Sequence, residues 1–233
     1  MSREVAALRD LVAQVERGER TPRDAILALP SGTLGPTKLS LDVDPSLPNV
    51  YRGVPAGPGV AGGKLVFRPV DAEREASLRH AVLLVVEETF PEDIAGMTAS
   101  RGIIAVRGGL TGHAAIVSRG LGRPCLCGGS GMSFTEDPTT RARALRIELM
   151  KGQLLVLREG DVASFDGGTG VFVTGPAPLR SFGAEVDTLL GWATAIAQGA
   201  APEGAAPRAL TSFQSTDAPP GEIMERAKKA LAP

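Results

Sequence analysis

The chain has 233 residues, 43% of them hydrophobic and only 4% aromatic, with a net charge of −1. That length carries one good core built from Val, Leu, Ile and Ala plus appendages, or two small domains. Near-neutral charge and a pI of about 6.2 exclude the basic field that nucleic acid or an anionic membrane surface requires.

Taken in order, residues 1–45 are expected to form a helical hairpin and a linker. Val5, Leu8, Leu11, Val12 and Val15 repeat at helical spacing until Gly18 breaks the pattern. Thr21-Pro22 starts a second helix, Thr as N-cap and Pro in the first turn, with Ala25, Ile26 and Leu29 as its apolar residues. The first residues mix acids with bases, which fits neither a secretory signal nor a transit peptide. Residues 30–50 are rich in Pro, Gly, Ser and Thr and read as a linker. The Gly- and Pro-rich stretch 52–63 reads as a tight lead-in to a strand at 64–67, or as backbone passing close to a neighbour.

A short polar helix is expected over 71–78, then a central strand at 81–86, a continuous apolar run. Pro91, Glu92 and Asp93 suit the first turn of a helix that ends near Ser100. A second buried strand, 102–106, leads into Arg107-Gly108-Gly109-Leu110-Thr111-Gly112-His113. Ala114, Val117, Ser118 and Leu121 then recur at helical spacing up to Gly122 and Pro124. Two strand–helix units in tandem predict a parallel α/β arrangement. Cys125 and Cys127 lie too close for an easy disulfide and lack a second ligand pair for zinc, so they read as buried strand residues in a reducing compartment, the cytoplasm. Residues 129–138 read as loop. Strands are expected over 141–149, 153–157, 161–165 and 171–173, the last two joined by the hairpin signal Asp166-Gly167-Gly168, forming an antiparallel section packed on the α/β part. A helix over 187–197 precedes an Ala/Pro-rich tail, 199–220, expected to be disordered, and a terminal helix over 221–232.

His113 is the candidate for chemistry. It stands where a Gly-rich turn meets a helix N-terminus, a place that gathers backbone N–H groups and favours phosphate. A neutral imidazole is a nucleophile at neutral pH, and attack on phosphorus gives a phosphohistidine. Gly108, Gly109 and Gly112 offer backbone donors, and Arg107 and Arg119 offer charge. From residue types alone, a helix-start histidine that merely caps a turn is the stronger contender, because a short Gly-rich motif is weakly specific. A metal centre lacks ligands near His113, no Gly-x-Ser-x-Gly elbow exists, and His80 has no special neighbours.

Residues 108–119 resemble the phosphohistidine signature of the PEP-utilising enzymes. Further stretches are similar to the pyruvate phosphate dikinase branch: 52–59, Thr89 to Met97, 119–125, 158–161 with 166–170, 188–193, and the N-terminal hairpin. The resemblance covers about residues 8–197. It implies an α/β fold with a swivelling β/β/α phosphohistidine domain over 46–180, flanked by the hairpin of 1–45 and by a helix and tail over 181–233. It makes His113 the phosphoryl carrier and places a regulatory threonine at Thr111, although the serine that follows it in dikinases is Gly112 here. It implies no metal or cofactor in this chain. Mg and ATP or PEP would sit on partner modules, an ATP-grasp nucleotide-binding protein and a PEP/pyruvate barrel protein, because this chain has no room for either. A regulator that mimics the carrier and docks on a full-length dikinase is the alternative.

Overall fold

Three apolar runs, 82–86, 102–105 and 125–127, set the architecture by becoming neighbouring strands. A computed structural model of the chain describes residues 3–30, 32, 39–137, 139–180, 183–202, 218 and 220–231. In chain order the elements are α1 (Arg3–Glu16), α2 (Pro22–Ala28), β1 (Tyr51–Arg52), β2 (Val54–Gly57), β3 (Val60–Val66), α3 (Pro69–Ser77), β4 (Val82–Val86), α4 (Ile94–Ala99), β5 (Gly102–Ala105), α5 (His113–Gly120) and β6 (Cys125–Cys127). There follow β7 (Met132–Glu136), β8 (Arg143–Glu148), β9 (Leu154–Arg158), β10 (Val162–Asp166), β11 (Val171–Thr174), α6 (Ala184–Ala197) and α7 (Pro220–Leu231). The described residues fall into two compact units, one holding all the strands with α3 to α5, the other α1, α2, α6 and α7.

In the first unit an eight-stranded sheet runs β1-β11-β10-β3-β4-β5-β6-β2. Its centre, β3 to β6, is parallel and connected through α3, α4 and α5, so the tandem strand–helix reading holds. The strands read as unbroken apolar runs because both faces are covered. Leu83, Val85, Ile104 and Leu126 point to one face, where they meet Leu145, Ile147 and Leu157 of the antiparallel sheet β7-β8-β9. Their alternates Val82, Leu84, Ile103, Cys125 and Cys127 point to the other face, against Ala72 of α3, Met97 of α4, and Ala114 and Ala115 of α5. The layers are therefore sheet, sheet, helices. Each of the Val, Leu, Ile and Met side chains among them, once fully buried, contributes about 1.5–3 kcal/mol.

Three expectations need correcting. Residues 132–136 are a strand, not loop: β7 pairs with β8, Met132 opposite Ile147 and Phe134 opposite Leu145. Only two apolar residues alternate there, and the partner that completes the strand comes later in the chain. The Gly-rich stretch before 64 is also strand, β2 and the start of β3. A Cβ at Gly63 would collide with the Ala81 carbonyl, so glycine is what lets the chain pass there. The antiparallel strands divide: β10 and β11 join the main sheet through β3, and only β7 to β9 form the second sheet.

In the second unit the apolar stripes of the hairpin, Leu8 and Val12 on α1, Ala25 and Ile26 on α2, are buried with Leu189, Leu190 and Trp192 of α6 and Met224 and Ala227 of α7. α6 packs against α1, α2 and α7. Thr21 caps α2, its Oγ1 accepting from the Asp24 N–H at 3.2 Å. The tail expected to be disordered lies, over 203–217, outside the described residues. No helix among the described residues is long and apolar enough to cross a membrane.

Candidate functional site

β4 and β5 are adjacent and parallel, with Val86 opposite Ala105. The pairing continues past both strand ends: the Val106 N–H donates to Val86 O, and the Arg107 N–H to Glu87 O, both at 2.8 Å. The two following loops thus leave the sheet side by side at its carboxyl edge, where open parallel sheets place their sites. That adjacency joins residues far apart in sequence. Thr89 Oγ1 lies 2.9 Å from His113 Nδ1. Thr89 is only 6% exposed and so is fixed, whereas the His113 ring is exposed.

The loop that presents His113 begins with a turn only glycine adopts readily, since Gly108 has φ +119°. The Gly112 N–H closes the loop on Gly109 O at 3.0 Å, and Gly112 is the N-cap of α5, whose first residue is His113. Among the described residues, the N–H groups of Gly108, Gly109, His113 and Ala114 meet no acceptor. The first-turn donors of a helix carry the positive end of its dipole, so these groups leave a rim of unpaired donors and positive potential at the loop. Gly112 contributes shape rather than a donor, its N–H being already committed.

A cleft of about 160 Å³ lies here, lined by Glu88, Thr89, Arg107, Gly108, Gly109, Gly112, His113, Ala114 and Cys127. It has room for a phosphoryl group, and a second depression of about 500 Å³, which shares Glu88 and Arg107, adjoins it. The structure therefore brings together Arg107, Gly108, Gly109, Gly112 and His113. It does not bring Arg119 to the cleft. The Arg119 guanidinium donates to Ala56 O of β2 at 2.6 Å and to Leu110 O at 3.1 Å, fastening the loop to the sheet edge. Thr111 is exposed on the loop and is not part of the lining. His80 is paired with Glu75 at 2.8 Å, and that hydrogen bond holds the Glu75 carboxyl below its ordinary value.

The two cysteines are buried on the helix side of β6. The hydrogen bond that Cys125 donates to Cys127, and then burial, push the Cys125 thiol up, so Cys125 stays protonated and packs as a small apolar residue. No group of three or more potential ligands that could hold a metal ion occurs among the described residues.

Sequence reasoning gave no role to Thr89 or to Glu87 and Glu88. The available signal was positional: these residues follow a buried strand directly, as the histidine loop does. Using it required knowing that β4 and β5 are neighbours.

Residues 78–170 match the family described as PEP-utilising enzyme, mobile domain. The chain is 36% identical over 195 residues to a pyruvate, phosphate dikinase of Rickettsia conorii, the match covering 82% of this chain and 21% of that protein. It is 35% identical over 176 residues to the pyruvate, phosphate dikinase of Rhizobium meliloti, covering 75% of this chain and 18% of the relative. With pyruvate, phosphate dikinase 2 of Zea mays the identity is 39% over 145 residues, 61% of this chain and 15% of the other. The chain thus spans about a fifth of the length of the curated relatives it matches. With the family match running from the approach to β4 through the histidine loop to β11, residues 78–170 belong to the mobile-domain family of the PEP-utilising enzymes.

Proposed function

We propose that this chain is a phosphoryl carrier of a pyruvate phosphate dikinase-like phosphotransferase, with His113 as the residue that is phosphorylated. The observation that carries the reading is the Thr89–His113 hydrogen bond beside a phosphoryl-sized cleft rimmed by backbone donors. In the reactive tautomer Nδ1–H donates to Thr89 Oγ1, which leaves the Nε2 lone pair available. Nε2 attacks the donor's phosphorus, the bond from phosphorus to the donor oxygen breaks, and its electron pair stays with the donor. The positive charge that develops on the ring is shared with Thr89. The N–H groups of Gly108, Gly109 and the first turn of α5, with Arg107, take the phosphoryl oxygens. Arg119 keeps the loop in place. In the second half an acceptor oxygen attacks phosphorus and the P–N electrons return to Nε2.

The donor and acceptor are held by nucleotide-binding and PEP/pyruvate-binding modules, and the domain swivels between them as a carrier. Nucleotide, PEP and Mg bind on those modules rather than here. The test is incubation of the chain with such a nucleotide-binding module and radiolabelled ATP. The expected product is an acid-labile label on the chain that His113→Ala abolishes. A label that survives His113→Ala would sink the proposal.

A further inference from the structure

Glu87 stands between two arginines. Its Oε1 receives Arg107 Nη2 at 3.1 Å, and its Oε2 lies 3.9 Å from Arg143 Nη2. Arg107 belongs to the histidine cleft. Arg143 belongs to β8, where its Cζ sits 3.6 Å above the Phe134 ring centroid, so it is held in place independently of Glu87. The Arg107 and Glu87 side chains are 69% and 44% exposed. A pair this exposed is held weakly.

A phosphoryl dianion competes well against a single carboxylate for a guanidinium, having more charge and three strong acceptor oxygens. The cost of releasing Arg107 is also small, because Arg143 remains beside Glu87 and the carboxylate keeps a cationic neighbour. In the unphosphorylated domain Glu87 keeps Arg107 extended at the cleft with its charge matched. The cleft then gains a free guanidinium only when an anion arrives to claim it.

We propose that Glu87 is a positioning residue that holds Arg107 while His113 is unmodified and yields it to the phosphoryl oxygens once His113 is phosphorylated. The proposal rests on the phosphohistidine reading of His113. Only an ion-pair partner changes, and no bond or proton moves in the exchange.

The test uses the whole chain and phosphoramidate as a small phosphoryl donor. The donor's P–N bond breaks, ammonia leaves and an Nε2–P bond forms, with His113→Ala identifying the signal. Phosphorus NMR then reads the pH at which the bound phosphoryl dianion takes up a proton to become the monoanion. With Glu87→Gln this pH falls by roughly half a unit, because a freed Arg107 favours the dianion. With Arg107→Gln it rises by a similar amount. Adding Glu87→Gln to Arg107→Gln changes it much less than in the wild-type background, and Glu87→Asp stays near wild type. Glu88 lines the same cleft in every variant, so its charge cancels in the comparison. An effect of Glu87→Gln that is equal with and without Arg107 overturns the exchange, because Glu87 would then act through its own charge alone. A phosphoryl signal on His113 that no variant shifts overturns the exchange but leaves the carrier reading standing. Absence of any phosphoryl signal at His113 overturns both.

Discussion

A neutral imidazole has two tautomers, and only the one protonated at Nδ1 leaves Nε2 able to attack phosphorus. In the proposed mechanism Thr89 Oγ1, 2.9 Å from Nδ1, accepts from Nδ1–H and so leaves Nε2 free to attack. Thr89→Val keeps the shape and removes the acceptor. A hydrogen bond to a charged group is worth about 1.5–3 kcal/mol, so label transfer to His113 slows by about tenfold or more. Thr89→Ser keeps the hydroxyl and stays within about threefold of wild type. Equal rates for the Val and Ser variants would remove Thr89 from the mechanism. His113 itself is legible in the sequence, because a Gly-rich turn, a helix start and the histidine are contiguous. Thr89 is not, because its meeting with His113 spans 24 positions and depends on the neighbouring of two strands. Arg119 shows the opposite error: its charge and nearness to His113 in sequence suggested a phosphate ligand, whereas its side chain turns back to two backbone carbonyls.

Among the elements, the central strands were readable because burial on both faces makes their composition uniformly apolar. β7 was not, since its stability comes from a later partner. β10 and β11 were recognised as strands, but their sheet was not, because alternation along a strand does not name its neighbour. The close packing of the parallel strands has a testable consequence at Gly102, which opens β5. A Cβ there would lie 2.5 Å from Ala61 Cβ and 2.7 Å from Phe165 Cζ. Gly102→Ala overpacks this point and destabilises the domain by about 1–3 kcal/mol, measured by urea unfolding. Unchanged stability would mean that β3 and β10 yield without cost.

The second sheet has its own fastening. Asp137, with a fully buried side chain, accepts from the Thr139 and Thr140 N–H groups at 2.8 and 2.7 Å and from Arg158 Nε at 2.6 Å. It ties the β7–β8 turn to β9. The Thr140 backbone hydrogen bond, with those from Thr139 and Arg158, holds the Asp137 carboxyl down to about 2. An unfolded aspartate titrates near about 3.9, so the folded state binds the proton less readily. The stabilisation is present above about pH 4 and is lost as the pH falls toward about 2. The stability gap between wild type and Asp137→Asn, read by denaturant unfolding, closes over that interval. A gap that is constant with pH would assign the effect to packing rather than to the charge.

At the scale of the whole molecule, the described residues place a phosphoryl-sized cleft at the carboxyl edge of the sheet, and the chain spans 21% of the length of its R. conorii relative. The helices α1, α2, α6 and α7 gather sequence from both ends of the chain into one unit. The sequence marked each of these helices, but their joint packing depends on contacts between segments more than 150 residues apart, and no local pattern encodes those. The central claim is that His113 carries a phosphoryl group in transit. Mass spectrometry under alkaline handling, after incubation with ATP and with PEP in the presence of the cognate nucleotide- and PEP-binding modules, tests it most directly. One added phosphoryl group is expected on the peptide containing His113, removed by acid and absent from His113→Ala. An unmodified His113 peptide with both donors, or modification that persists in His113→Ala, would contradict it.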